Sequence, residues 1–182
     1  LYFYDSIHKA IGLSHSGWRG TVGNIAKATV EAMQKTYHTD PADLIAAIGP
    51  SICQDCYEVS EDVIEEFRQA YPETIHTKLF YRKPNGKYQL NLWEACHQNF
   101  LTSGIREENI LTPNLCTCCN RISCIPTVHR REKEETSRHS FPWSENRIES
   151  IQKTDLGKTD PFFCCMHPAD TKSIICVLPA AY

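Results

Sequence analysis

The run Leu44-Ile45-Ala46-Ala47-Ile48, closed by Gly49-Pro50, restricts the fold more than any other stretch of the chain. Five consecutive apolar residues ended by a turn signal have the length and content of a strand buried on both faces, so helices must lie against it. Helical spacing is present on either side. Val22, Ile25, Ala26, Thr29, Val30 and Met33, following a Gly-containing turn at Gly17 to Gly20, predict a helix to about Tyr37, and Asp40-Pro41 ends it. Ser60, Glu61 and Asp62 supply a capping hydroxyl and two acids, and Val63, Ile64, Phe67 and Ala70 carry a second helix to about Tyr71. Leu90, Leu92, Trp93, Cys96, Phe100 and Leu101 form the apolar face of a third, stopped at Gly104. Leu1 to Tyr4 and Ala10 to Ser14, joined through Asp5-Ser6, read as a hairpin, and Ile110 to Thr112 as a strand. The expected fold is α/β, a mixed sheet covered by helices over residues 1–120. It is expected to be an incomplete domain with an irregular C-terminal tail.

The 182 residues suffice for one domain, with 41% apolar and 23% charged residues, well inside the globular range. A net charge of -3 leaves no basic surface to neutralise phosphates along a backbone, which disfavours nucleic-acid binding. No run of 18 apolar residues and no basic-then-apolar leader is present, so the sequence reads as soluble, cytoplasmic and without membrane contact. The opening Leu1-Tyr2-Phe3-Tyr4, without an initiating Met, reads as the interior of a longer chain. An incomplete sheet of that kind should expose an edge and apolar surface.

Two constellations carry chemistry. Cys53/Cys56 and Cys116/Cys119 both have the CxxC spacing that brings two thiolates onto one Zn²⁺. The pairs stand about 60 residues apart, however, and buried cysteines are common without a metal. Ser14-His15-Ser16-Gly17-Trp18-Arg19-Gly20 is more specific: a strand-terminal imidazole followed by a turn that presents an aromatic face and a fixed positive charge. The competing reading is a strand-terminal His on a turn whose glycines serve the backbone, with Trp18 in the core.

SHSGWRG, followed by AAIGPSICQDCYEV and then LCTCCN, resembles in order and spacing the polyphenol oxidase, or laccase-like-domain, family over residues 1–120. The resemblance implies zinc-dependent phosphorolysis of purine nucleosides (adenosine, inosine, guanosine, methylthioadenosine), with adenosine deamination, phosphate being the co-substrate. It assigns His15 as one of three zinc ligands and Arg19 as the group that clamps phosphate or developing charge. Trp18, Tyr57 and Glu58 are the residues it places near substrate. For the last two the alternative is a strand-to-helix connection in which Tyr57 packs and Glu58 is solvated. The family's other two ligands belong to a QVHG-like and an ADC-like motif, which the resemblance places before Leu1. A single imidazole retains little of the binding free energy of a three-ligand site, so the chain is expected not to hold catalytic zinc and to be inactive by itself. The expected partner is a small purine nucleoside. A copper-dependent phenol oxidase is disfavoured because no clustered HxH pairs exist.

From Arg121 the pattern dissolves: one of eight glycines lies beyond that point, Arg130 to Glu135 is a mixed charge run, and only Ser173 to Leu178 has strand character. Residues 121–141 can be written in synonymous codons so that one restored base yields PDLLYSHRTPTRKRGNLAAFL, which resembles the family's continuation. The same frame permits a stop across Ser144 and Glu145. Residues 121–182 are therefore expected to be a frameshifted, largely unstructured translation, the alternative being a genuine divergent tail. On that expectation Cys124, Cys164, Cys165, Cys176, His129 and His139 carry no function. The rival to an enzyme is a non-catalytic zinc-binding or interaction module built on the CxxC pairs.

Overall fold

The structure, a computed structural model, describes residues 1–112 and 115–119 and the backbone of two strands at 163–166 and 174–179. The predicted hairpin forms from β1 (Tyr2–Asp5) and β2 (Ala10–Ser14), antiparallel with Tyr2 opposite Leu13. Its turn is held by the buried Asp5 carboxylate, which accepts the N–H groups of Ile7 and His8 at 2.9 Å and pairs with His8 Nδ1 at 2.8 Å. Burial opposes ionisation of Asp5, but hydrogen bonds from Thr39 and His8 outweigh it and hold the carboxyl below its ordinary value.

The helix expected from Val22 onward is two helices, α1 (Trp18–Val22) and α2 (Ile25–Tyr37). Asn24 divides them: it adopts φ 49°, and its side chain accepts the Lys27 N–H, capping α2. The expected turn at Gly17 to Gly20 is likewise replaced, Gly17 standing as the N-cap of α1 with an ordinary φ of -71°. β3 (Leu44–Ala47) pairs antiparallel with β1 through Phe3 opposite Ala46. It is not buried on both faces, as the continuous run had suggested. Leu44 and Ala46 face α2, while Ile45 is 40% exposed. Tyr2, Ile11, Leu13 and Leu111 are exposed with it, and the strand registers put all of them on one face of the sheet.

β4 (Glu58–Val59) leads into α3 (Glu61–Ala70). Ser60 precedes that helix as predicted, but its hydroxyl donates to the Asp62 carboxylate instead of receiving a backbone N–H. α4 (Glu73–Leu79), β5 (Phe80–Arg82) and β6 (Tyr88–Leu90) follow, none of them predicted, with the Pro84-Asn85-Gly86 turn between the two strands. They build a small sheet of order β4-β6-β5. α5 (Leu92–Thr102) begins after Leu90, with Asn91 capping it, and ends before Gly104 at φ +90°. β7 (Ile110–Leu111) then runs parallel to β3.

Two cores result. Phe3, Ala10, Leu44 and Ala46 pack against Ile25, Val30 and Met33 of α2 and Phe100 of α5, with the Phe3 and Phe100 rings edge to face at 5.4 Å. Val63, Ile64, Phe67, Leu79, Tyr88 and Leu90 form the second. α5 joins them, since Leu92 and Ala95 face the second core and Cys96 and Phe100 the first. A buried polar knot ties the end of α1 to both: the Tyr71 hydroxyl donates to Asn99 Oδ1 at 2.9 Å, and Asn99 Nδ2 donates to the Thr21 carbonyl at 2.7 Å.

β8 (Phe163–Met166) and β9 (Ile174–Pro179) complete a main sheet of order β7-β3-β1-β2-β9-β8. The strand character of Ser173 to Leu178 thus corresponds to β9, antiparallel to β2, whereas β8 was not foreseen. The remainder of the tail, with Cys124, His129 and His139, lies outside the described residues, as do the side chains of Cys164, Cys165 and Cys176. Among the described residues no helix is long and apolar enough to cross a membrane.

Candidate functional site

β2 ends at Ser14 and the chain turns before α1, which leaves His15 exposed at the rim of a cavity of about 490 Å³. The wall comes from four places that the fold brings together: Leu1 and Tyr2 at the start of β1, the end of β2 (Leu13 to Ser16), the loop after β3 (Ile48 to Ser51) and the start of α5 (Leu92, Trp93 and Cys96). Gly49 in that loop is needed for close approach, because a Cβ there would stand 2.6 Å from Cε2 of Tyr2, another lining residue. Trp93 Nε1 donates to Ser51 Oγ at 2.6 Å, and Ser51 Oγ donates to the Gly49 carbonyl at 3.2 Å. Ser14 is 3% exposed, and its hydroxyl has no hydrogen-bond partner among the described residues. A buried hydroxyl without a partner costs about 1–3 kcal/mol. Volume, aromatic wall and a few polar groups are the attributes of a small-molecule pocket.

Cys96, read from the sequence only as part of a helical face, also lines this cavity. Its Sγ lies 3.7 Å from both Ser16 Oγ and Thr21 Oγ1, and burial pushes its thiol up. Nothing in a helical period distinguishes a core cysteine from one at a cavity floor.

The other residues singled out from the sequence stand outside the cavity wall. Trp18 and Arg19 fall on α1: Trp18 is half-buried against the second core, and the Arg19 guanidinium lies over its ring at 4.1 Å. Tyr57 also packs against the second core, its phenol raised by burial and partly offset by the charge of Arg19. Glu58 is exposed and ion-paired with Lys83 at 2.5 Å and Lys87 at 3.2 Å. Its carboxyl is drawn down to about 2, chiefly by the hydrogen bond from Lys83. His15 belongs to no trio of metal-type side chains among the described residues, so these residues alone do not assemble the three-ligand zinc centre implied by the resemblance.

The cysteine pairs, by contrast, converge. β3 and β7 run parallel, and their pairing continues past both strands: Ile48 N–H donates to the Leu111 carbonyl at 3.0 Å, Ser51 bridges to Cys116, and Thr117 N–H donates to the Ser51 carbonyl at 3.1 Å. That register carries the two CxxC loops to the same place despite their separation in sequence. The four Sγ atoms of Cys53, Cys56, Cys116 and Cys119 all lie within 4.8 Å of one another. Cys56 and Cys119 are 3.5 Å apart and Cys53 and Cys119 3.9 Å apart. Cys116 Sγ accepts three backbone N–H groups, from Cys53 and Cys118 at 3.3 Å and Cys119 at 3.4 Å. Burial works against its ionisation, but those donors, Cys119 first, bring the thiol down to about 6. Cys56 is pushed the other way by the neighbouring Cys119 and Cys118 thiols.

Residues 1–140 match the family described as multi-copper polyphenol oxidoreductase laccase. An adenosine deaminase RL5 from an unknown prokaryotic organism is 40% identical over 125 residues, which are 68% of this chain and 46% of that protein. The purine nucleoside phosphorylase YlmD of Geobacillus stearothermophilus is 34% identical over 139 residues, 76% of this chain and 49% of the relative. The crystal structure of Bacillus licheniformis hypothetical protein YfiH superposes with a TM-score of 0.61 at 37% identity, over 66% of this chain and 45% of that one. The chain thus spans about half the length of these relatives. The matched segment runs to residue 140, beyond the boundary at 120 read from the sequence.

Proposed function

The chain belongs to the multi-copper polyphenol oxidoreductase laccase family, and on that footing we propose that its His15 cavity is a purine-nucleoside site. The observation that carries the reading is the aromatic-walled cavity itself, with Tyr2 and Trp93 in its lining, the Ser51 hydroxyl held by Trp93, and His15 at its rim. A purine offers a flat face for Trp93, and a ribose offers hydroxyls for Ser51. The relatives named for purine nucleoside phosphorolysis and adenosine deamination support the same substrate class. In the first reaction a phosphate oxygen bonds to ribose C1′ while the C1′–N9 bond breaks and the base leaves with a proton. In the second, water replaces the C6 amine and ammonia leaves. Arg19, exposed on the helix that follows His15 though outside the cavity wall, is the fixed positive charge we assign to phosphate. Phenol oxidation by several copper centres is the weaker reading, because none of the eight histidines forms an HxH pair.

Among the described residues His15 is the single imidazole in the lining, and this polypeptide is expected to bind nucleoside without turning it over. Calorimetric titration with inosine tests the binding: a saturable isotherm with Kd between about 1 μM and 1 mM, weakened at least tenfold by Trp93→Ala, is the expected result. Absence of saturable binding, or an isotherm indifferent to that substitution, contradicts the site. Release of hypoxanthine from inosine in the presence of phosphate, or of ammonia from adenosine, lost in His15→Ala, would overturn the expectation that turnover is absent.

A further inference from the structure

We propose that Cys53, Cys56, Cys116 and Cys119 form a four-thiolate zinc site, separate from the His15 cavity, which fastens the loop after β3 to the segment after β7. The argument begins with distances. A zinc ion held tetrahedrally at about 2.3 Å from each sulfur puts the sulfurs about 3.8 Å apart. The Cys56–Cys119 and Cys53–Cys119 separations of 3.5 and 3.9 Å bracket that value, and no pair in the cluster exceeds 4.8 Å. Four cysteines packed for other reasons have no cause to meet at the edge of a tetrahedron.

The surroundings suit the same ion. Four thiolates and one Zn²⁺ leave two negative charges in excess, and the three N–H groups directed at Cys116 Sγ disperse part of that charge. The Cys118 and Cys119 donors come from the Cys116–Cys119 loop itself, so the loop is already wound around its first sulfur. Cys116 is buried whereas Cys119 is exposed, which gives the ion a rigid inner ligand and an outer side by which to enter. On binding, the thiols release their protons to solvent and no redox step is involved. An all-sulfur set favours zinc over calcium or magnesium, which require oxygen ligands.

The site also has a structural task. Ser51, two residues before Cys53, contributes its hydroxyl to the cavity wall through Trp93 and its backbone to the pairing with Leu115 and Thr117. Fastening the two CxxC loops therefore holds one wall of the His15 cavity. His15 is not a ligand here, so this site and the nucleoside reading stand or fall separately.

The test is metal analysis of the chain purified under reducing conditions, followed by cobalt substitution. The expected result is one zinc per chain, a thiolate-to-cobalt charge-transfer band with tetrahedral d–d bands, full retention in His15→Ala, and loss in Cys56→Ser and Cys119→Ser. Should the serine variants fail to fold, the cobalt spectrum of the unmodified chain still reports whether four thiolates surround the ion. Zinc lost in His15→Ala but kept in Cys119→Ser would overturn the proposal. So would a reduced chain that takes up cobalt without thiolate bands, or that holds a Cys56–Cys119 disulfide and no metal.

Discussion

Removing the Tyr71 hydroxyl tests the buried knot that joins the end of α1, the end of α3 and α5. Tyr71→Phe keeps the ring stacked on Phe67, now at 5.7 Å and 8° between planes, and deletes one oxygen. That oxygen donates to Asn99 Oδ1 and lies 3.1 Å from the Thr21 carbonyl. Its loss leaves Asn99 Oδ1, on a residue 4% exposed, with no other hydrogen-bond donor described, so the cost is that of an orphaned buried acceptor, about 1–3 kcal/mol. For a folded body of roughly 120 residues the unfolding entropy is about 0.25 kcal/mol/K, which converts the cost into a Tm lowered by about 4–12 °C. Thermal unfolding followed by circular dichroism, with urea titration for the free energy, reads this directly. Combining Tyr71→Phe with Asn99→Ala should give less than the sum of the two losses, because the second change removes the acceptor that the first orphans. A Tm within about 1 °C of the unmodified chain, or strict additivity in the double variant, would refute the knot.

Three further outcomes follow from the same structure. Ser14→Ala removes a buried hydroxyl without a partner among the described residues, so it should leave stability unchanged or raise it by up to about 1 kcal/mol in urea titration; a clear loss of stability would contradict that. Glu58 titrates near 2 in the folded chain against 4.5 ordinarily, so its ion pairs contribute above about pH 4.5 and are lost as pH falls toward 2. Glu58→Gln should therefore flatten the acid limb of a plot of urea midpoint against pH, by a small amount because the pair is exposed. Phe100→Ala, which empties a fully buried ring position against Phe3, should cost about 3–5 kcal/mol in the same urea titration.

What the sequence discloses follows from how local each signal is. The hairpin, α3 and most of α5 were legible because alternation, helical spacing and the positive-φ glycine after α5 are properties of a few neighbouring residues. The break between α1 and α2 was not, since Asn24 interrupts a helical spacing of apolar residues that continues across it, and only its left-handed backbone marks the division. β6 escaped notice because Tyr88, Gln89 and Leu90 are all buried and show no alternation. The exposure of Ile45 was hidden for the reverse reason: an apolar side chain on the uncovered face looks the same in sequence as one in a core. At the site, His15 was found from its motif, whereas Cys96 and the Ser14 hydroxyl acquire meaning only from what α5 and the loop after β3 place beside them. The meeting of the two CxxC loops depends on the parallel register of β3 and β7, a long-range fact that no spacing along the chain contains.

The central claim is that the cavity beside His15 receives a purine nucleoside, and the most direct measurement is an amide, indole and imidazole NMR map on addition of inosine. The chain has three tryptophans, so the Trp93 indole resonance can be assigned by its absence in Trp93→Phe. The account predicts saturable shifts of the Trp93 indole, the His15 ring and the amides of Ser14 and Ser51. Shifts confined to other surfaces, or no shifts at inosine concentrations well above 1 mM, where a purine site should be filled, would contradict it.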